Sequence, residues 1–349
     1  MPRRRTIIIA LAKVLAVLIV LALLYYVLRR IGFGTIHAAM RRVRPGSVGA
    51  AALLYFGVFL LWSFRWQLLM KREQRKSILA LFPIYMAGVF GNVITPGARV
   101  GGEGIRAYYM SRAFGGEKTA YLGTILADKL GNGAVFMVFM VLSVAFVVLF
   151  VPLGLVPKLV LEGVVLLVVT IVVGGFLVRK RMAGRSGVLR KLLRAVYNSA
   201  LLKLVRRFRT YEHFEDYAIR KLDNVFTPIA QAAGSPKALV KILVISAGSW
   251  MLLYLAHYVL FRGLGVEIGF PQVLVIVTIS TFVGDVSVSP GGAGFMETAM
   301  IGLCAAFGVE HGTAAAVTLI SRGIFYAYGL GVGGLCLGAL AAVYGRGAE

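Results

Sequence analysis

The stretch Gly284–Asp285–Val286–Ser287–Val288–Ser289–Pro290–Gly291–Gly292–Ala293–Gly294–Phe295–Met296–Glu297 lies deep in apolar sequence, yet carries two carboxylates, a proline and four glycines. A continuous helix tolerates this badly. Proline removes a backbone donor and clashes with the preceding turn, and each glycine costs roughly 1 kcal/mol of helix stability relative to alanine. Within a bilayer, broken backbone persists only where protein buries it or water lines it. The stretch therefore predicts a deliberate interruption in a membrane-embedded segment.

A second copy stands earlier in the chain. Gly91–Asn92–Val93–Ile94–Thr95–Pro96–Gly97, followed by Glu103, superposes on the first stretch at an offset of 193–194 residues. Gly91 falls on Gly284, Asn92 on Asp285, Pro96 on Pro290, Gly97 on Gly291 and Glu103 on Glu297. The match continues through Phe114–Gly115 on Phe307–Gly308, Glu117 on Glu310, Thr119–Ala120 on Thr313–Ala314 and Lys129 on Arg322. A near-constant offset of this length marks an internal repeat, one copy per half. The breaks are assigned to Pro96, Gly97, Pro290, Gly291 and Gly292.

The chain has 349 residues, 59% of them hydrophobic, against about 45–50% in soluble domains. The expected fold is an all-α polytopic membrane protein with about six to eight transmembrane helices and two re-entrant hairpins in inverted repeats. No cleavage site follows the apolar run after Arg5, so the segment reads as a span and not a cleaved leader. The net charge of +24 is read as basic residues flanking spans and facing anionic head groups, so no nucleic acid partner is expected. Cys304 and Cys336 lie in apolar runs as small packing residues, and His37, His213, His257 and His311 have no ligand spacing; no metal and no cofactor are expected.

Spans are predicted at Ile7–Leu28, Ser47–Leu69, Thr119–Phe150, Val160–Val178, Ala238–Phe261 and Thr313–Tyr344. Gly32–Arg44 reads as a basic connector, Trp62 and Trp66 as interfacial anchors, and Arg65 as a snorkelling side chain. The hairpins are Ile78–Thr95 with Arg99–Arg112, and Pro271–Ser289 with Phe295–Phe307. The chain is taken as one transmembrane unit over 1–349, with repeat A at 78–150, a basic insertion at 179–237 and repeat B at 271–344. That insertion holds fourteen Lys and Arg against four acids, which places it on the cytoplasmic side. Its apolar positions from Leu189 to Phe208 recur at helical spacing and read as an amphipathic helix on the inner leaflet; a solvated cytoplasmic helix pair is the alternative. With the insertion inside, the first hairpin opens to the cytoplasm and the second to the exterior. Arg29, Arg30, Arg41, Arg42 and Arg44 then fall outside, against the charge rule. Gly329–Gly333 and Gly334–Gly338 have helix-packing spacing.

An ionised side chain near the bilayer centre costs at least ~2.5–3.5 kcal/mol, so the charges inside these segments need partners or a purpose. Glu103, Arg106, Asp285, Glu297 and Arg322 are the first candidates for a central substrate site, with Arg99, Asp128 and Lys129 next. One reading is structural: Glu103 and Glu297 pair with Lys129 and Arg322 and hold the architecture. The other is collective: two half-helices aim their termini at an anion, with arginines adding bidentate recognition of phosphate. Gly102–Glu103–Gly104–Ile105–Arg106–Ala107 fits a loose dinucleotide fingerprint without the surrounding βαβ unit, and no nucleophile–base constellation supports an enzyme.

These residues carry a resemblance. Pro96–Gly97–Ala98–Arg99–Val100–Gly101–Gly102–Glu103 through Arg106, and Pro290–Gly291–Gly292–Ala293–Gly294–Phe295–Met296–Glu297, are similar to the two signatures of the lysylphosphatidylglycerol synthase/flippase transmembrane family. Asp128–Lys129 and Arg322 stand where that family also has charges within spans, and Gly101–Gly102–Glu103 departs from its more usual Leu–Gly–Glu. The resemblance spans roughly residues 7–343. It implies a lipid-flippase-like fold whose better-known relatives move aminoacylated phosphatidylglycerol between leaflets. With the chain ending at Glu349, the soluble aminoacyl-transferase domain of some relatives is not expected. The expected function is movement of an anionic or aminoacylated phospholipid, or a polyprenyl-phosphate-linked lipid, with membrane lipids as partners and a homodimer among the possible assemblies. A secondary transporter of a small anion or other solute, and a non-transporting subunit of a lipid-modifying or glycosylating system, are the alternatives.

Overall fold

The computed structural model describes residues 29, 32–70, 75–95, 101–151, 194, 210–287 and 289–345. The first expected span, Pro96, Gly97, Arg99, the return span at 160–178 and almost all of the amphipathic stretch at 189–208 lie outside the described residues. The chain is all-α: α1 Phe33–Arg42, α2 Pro45–Leu68, α3 Ile78–Ile94, α4 Gly101–Phe114, α5 Lys118–Phe150, α6 Tyr211–Gly234, α7 Pro236–Gly263, α8 Phe270–Val286, α9 Phe295–Ala306, α10 His311–Tyr326 and α11 Gly333–Tyr344. A π-helical segment, Ala327–Val332, joins the last two. Among the described residues, four helical stretches are long and apolar enough to cross a membrane: α2, α5, α7 and the continuous α10–α11. α3 and α8, at 17 residues each, are apolar but shorter. At ~1.5 Å per residue they fall short of a hydrocarbon core of ~30 Å.

Large apolar side chains are exposed while charged ones lie in the interior. Leu53, Leu79, Leu149, Phe150 and Leu335 are each at least 70% exposed, while Arg65, Glu103, Arg106, Asp128, Glu297 and Arg322 are at most 6% exposed. In water that partition would be unfavourable; against lipid tails it is the stable one. Several hydroxyls inside the helices are satisfied locally: Ser143, Ser280 and Thr318 each donate to the carbonyl four residues earlier, as the preceding turn allows.

The α2–α7 pair sets the frame. The Arg44 amide donates to the Gly263 carbonyl at 3.2 Å and Arg65 reaches Ser246 at 3.1 Å, so the two helices run antiparallel. Gln67 donates to the Lys76 carbonyl at 2.6 Å, tying the start of α3 to the C-terminal end of α2. The α3–α4 hairpin therefore opens at that end of the pair. The α8–α9 hairpin follows the end of α7 and opens at the other. A Cβ on Gly291, at the tip of the second hairpin, would stand 3.5 Å from the Val93 carbonyl near the tip of the first. Two oppositely directed hairpins thus meet tip to tip.

Glycine makes each hairpin possible. A Cβ on Gly102 would overlap the Gly88 carbonyl across the first hairpin. In the second, Pro290–Gly292 forms a single 3-10 turn with φ of +59° at Gly291 and +74° at Gly292, and a Cβ on Gly292 would lie 2.9 Å from Gly284. Gly102→Ala is expected to destabilise the protein by about 1–3 kcal/mol through overpacking. Gly104→Ala, where a methyl meets nothing within 4 Å, is expected to gain up to about 1 kcal/mol from helix propensity. Thermal unfolding in detergent distinguishes the two.

Three local expectations are corrected. Gly32–Arg44 is not a plain connector: it contains α1, with Ile36 and Ala39 buried and Thr35 against Gly312 at the start of α10. Arg65 does not snorkel, and Trp66 is not an interfacial anchor; they are 2% and 0% exposed. Of the helix-packing glycines, Gly329 faces Val93 and Gly333 faces Met86 and Phe90 on α3, whereas a Cβ on Gly338 would meet nothing. Within the basic insertion, α6 carries all four of its acids and lies on α5. There Lys221 donates to Glu117 at 2.5 Å and holds that carboxyl below its ordinary range.

Candidate functional site

A cavity of about 330 Å³ lies where the hairpin tips meet. Glu103, Arg106, Asp128, Lys129, Asp285 and Arg322 all line it, joined by Arg65, Asn132 and His257. Aromatic rings from Tyr55, Phe59, Trp62, Tyr85, Phe136, Trp250 and Phe325 complete the wall. Of the sequence candidates, Glu297 stands one side chain behind the wall, bonded to Arg322, and Arg99 lies outside the described residues.

Apart from Asp285, the charges form three groups. In the first half, Lys129 Nζ lies 2.6 Å from Glu103 Oε1; the glutamate side chain is 8% exposed and the lysine 39%. In the second half, Arg322 Nε donates to Glu297 Oε1 at 2.6 Å, with both side chains at most 6% exposed. These pairs occupy corresponding positions under the offset that relates the halves. The third group has no counterpart: Arg65 Nε donates to Asp128 Oδ1 at 2.6 Å, and Arg106 reaches Asp128 Oδ2 at 3.3–3.4 Å. Arg65 also donates to Asn132 at 2.8 Å.

Each group is placed by its helix. Glu297 sits in the first turn of α9, where its Oε2 accepts the Gly294 amide at 2.6 Å, half of a capping box. Glu103 sits in the first turn of α4, where a negative charge offsets the positive helix end. The Gly102 amide at that end donates to Asn92 on α3 at 2.7 Å. At each of these helix starts a backbone amide thus meets one of the protein's own side-chain oxygens.

Arg322 is fully engaged. Beyond Glu297 it reaches Met296 Sδ at 3.4 Å, the Gly291 carbonyl at 2.8 Å and Tyr326 Oη at 2.5 Å. It clamps α10 to the tip of the second hairpin, immediately before the π segment. Single π turns inside helices accompany functional sites and hinges. Arg106 is held differently: its guanidinium carbon lies 4.0 Å from the Trp66 ring centre and 4.3 Å from that of Tyr85, a desolvated cation–π contact on the order of 2 kcal/mol. The Trp66 indole N–H is satisfied by Thr124 at 3.0 Å.

Arg65 was missed as a site residue because its partners lie 63 and 181 positions away in sequence. One signal was present: an arginine in the last turn of an otherwise apolar span, beside a tryptophan whose N–H needs a partner if buried. Among the described residues, no three His, Cys, Asp or Glu side chains come together as a metal requires.

Comparison with known proteins gives the kinship. Residues 13–333 match the family model described as the lysylphosphatidylglycerol synthase TM region. A UPF0104 membrane protein of Methanothermobacter thermautotrophicus is 27% identical over 295 residues, covering 84% of this chain and 85% of its own length. One from Pyrococcus horikoshii is 28% identical over 286 residues, covering 78% and 80%. One from Methanocaldococcus jannaschii is 24% identical over 317 residues, covering 90% and 89%. The long apolar helices, the charged side chains buried between two hairpins and a family match across most of the chain agree: this is an integral membrane protein and belongs to the lysylphosphatidylglycerol synthase transmembrane-region family.

Proposed function

We propose that the protein moves the polar head of an anionic or aminoacylated phospholipid, or of a polyprenyl-phosphate-linked lipid, between leaflets through the central cavity. The observation that carries this is the charged cavity at the meeting point of two hairpins that open to opposite ends of the bundle. Both halves contribute its wall, as an alternating-access device about a midplane site requires. A volume of about 330 Å³ is at the small end of ligand pockets, roughly 300–1,000 Å³. It suits a head group, with acyl chains remaining outside against the apolar surface.

In this reading the hairpins are re-entrant, α6 and the rest of the basic insertion face the cytoplasm, and the protein resides in the cell membrane. Lys129, the most exposed member of the ion pairs around the cavity, is the natural first contact for an entering head group. The same cavity also favours a second reading, a transporter of a small anion, because its charges are drawn from both hairpins and aromatic rings line the rest of its wall.

Reconstitution in liposomes with fluorescent or aminoacylated phospholipid tests the proposal. Lipid is expected to reach the opposite leaflet faster than in protein-free vesicles. Glu103→Gln is expected to slow it at least about tenfold, the factor that ~1.4 kcal/mol corresponds to. Protein-free rates with wild-type protein under every imposed gradient refute lipid movement; uptake of a small anion in the same vesicles establishes the second reading.

A further inference from the structure

We propose that the guanidinium edge of Arg106, with Arg65 beside it, is an oxyanion subsite that takes a phosphate group. The inference deepens the head-group reading above and rests on it for its biological meaning, but it concerns binding alone.

The cavity's cations are not equivalent. Arg322 spends its nitrogens on Glu297, Met296, Gly291 and Tyr326, and Lys129 is matched by Glu103. Arg106 is 4% exposed, yet its contacts with Asp128 are 3.3–3.4 Å, longer than the ~2.7–2.9 Å of a well-made charge-assisted bond. The near oxygen of Asp128 belongs to Arg65, at 2.6 Å. Arg106 Nε has no hydrogen-bond partner among the described residues. The Trp66 and Tyr85 rings hold the group in place but accept no in-plane N–H bond from it.

The sharing of partners points the same way. Arg65 and Arg106 meet a single carboxylate, that of Asp128, and Arg65 holds it more closely, at 2.6 Å against 3.3 Å; an arriving anion would give Arg106 the close partner that Asp128 does not. A phosphate offers what the fork of a guanidinium recognises: a delocalised negative charge on paired oxygens. The subsite is also single. At the repeat offset, Met300 stands in place of Arg106, Ser321 in place of Asp128 and Phe325 in place of Asn132, so the second half has no equivalent pair. The cavity has one phosphate end, on the side of the first hairpin.

The molecule carries its own reporter. All three of its tryptophans are at the cavity: Trp62 and Trp250 line it, and Trp66 contacts Arg106. The full chain in non-ionic detergent is titrated with inorganic phosphate, glycerol 3-phosphate and dihexanoyl phosphatidylglycerol, against sodium chloride at equal ionic strength. A saturable change in tryptophan emission with at least one phosphate compound, absent with chloride, is expected. Arg106→Gln is expected to weaken it at least about tenfold, and Arg106→Lys, which keeps the charge but not the fork, by an intermediate factor. Size-exclusion profiles matching wild type certify that each variant is folded; should neither fold, the wild-type titration decides alone.

Response to the lipid only identifies a head-group phosphate as the ligand, and equal response to inorganic phosphate identifies a free anion; either upholds the subsite. No saturable response to any of the three, a response that chloride reproduces, or one that both folded variants leave unchanged overturns it. Binding without lipid movement in liposomes would remove the transport reading and keep the subsite, and movement without binding would do the reverse.

Discussion

Asp128→Asn protein is expected to lose a large share of its stability in mild detergent. The carboxylate is 1% exposed and is the shared partner of Arg65 and Arg106. Neutralising it leaves two guanidinium groups facing each other without an anion. Removing one member of a buried ion pair costs about 3–5 kcal/mol, a large share of a total stability of roughly 5–15 kcal/mol. The change should appear as a lowered unfolding temperature and an aggregated fraction on size exclusion. Replacing the whole group by apolar residues of similar volume, as in Arg65→Met with Arg106→Met and Asp128→Leu, should recover much of the loss, because desolvation offsets most of a buried pair's attraction. A single Asp128→Asn as stable as wild type would mean that the arginines are compensated by something other than this carboxylate.

Arg322→Met is the second large effect expected. It removes the donor to Glu297, to the Gly291 carbonyl and to Tyr326 together, and frees the tip of the second hairpin from α10. The expected cost is again about 3–5 kcal/mol. Glu297→Gln keeps an oxygen for the Gly294 amide and should cost less. The double variant should show a coupling between the two of about 0.5–3 kcal/mol, read from chemical or thermal unfolding of all four proteins. Strict additivity would show that the 2.6 Å contact contributes nothing of its own.

Much of this architecture was legible in the sequence because it is periodic or repeated. The bounds of α2, α5, α7, α8 and α9 fall within a few residues of where apolar runs and breaks place them. The pairs Glu103–Lys129 and Glu297–Arg322 were within reach as one of two readings, since a constant offset carries one pair onto the other. What stayed hidden is non-local. Arg65 and Trp66 sit where a span end places interfacial residues, and only the approach of α5 and α7 reveals that they are interior. α1 concealed its helix in a basic stretch, although Ile36 and Ala39 have the spacing of a buried stripe.

Proline alone was also a weaker guide than it looked. Pro83 lies within α3 and Pro228 within α6 without ending either helix. At Pro290 the chain turns because Gly291 and Gly292 follow with positive φ, conformations that other residues resist. The π segment at Ala327–Val332 had no sequence signature beyond its glycines, and its position one residue beyond Tyr326 follows from packing. The cavity itself was foreseeable only as a need for partners: eight charges in apolar segments must meet something, but which of them meet each other is decided by three-dimensional contact.

The opposed hairpins can be tested at corresponding positions of the two halves. Glu117 and Glu310 are exposed, are related by the repeat offset, and mark the open ends of the first and second hairpins. In a background carrying Cys304→Ala and Cys336→Ala, the Glu117→Cys and Glu310→Cys proteins are labelled in sealed, uniformly oriented vesicles with a membrane-impermeant maleimide. Labelling of the two from opposite faces of the membrane is the expected result. Labelling of both from the same face would contradict it, and with it the inverted arrangement on which the central cavity and its proposed transport depend.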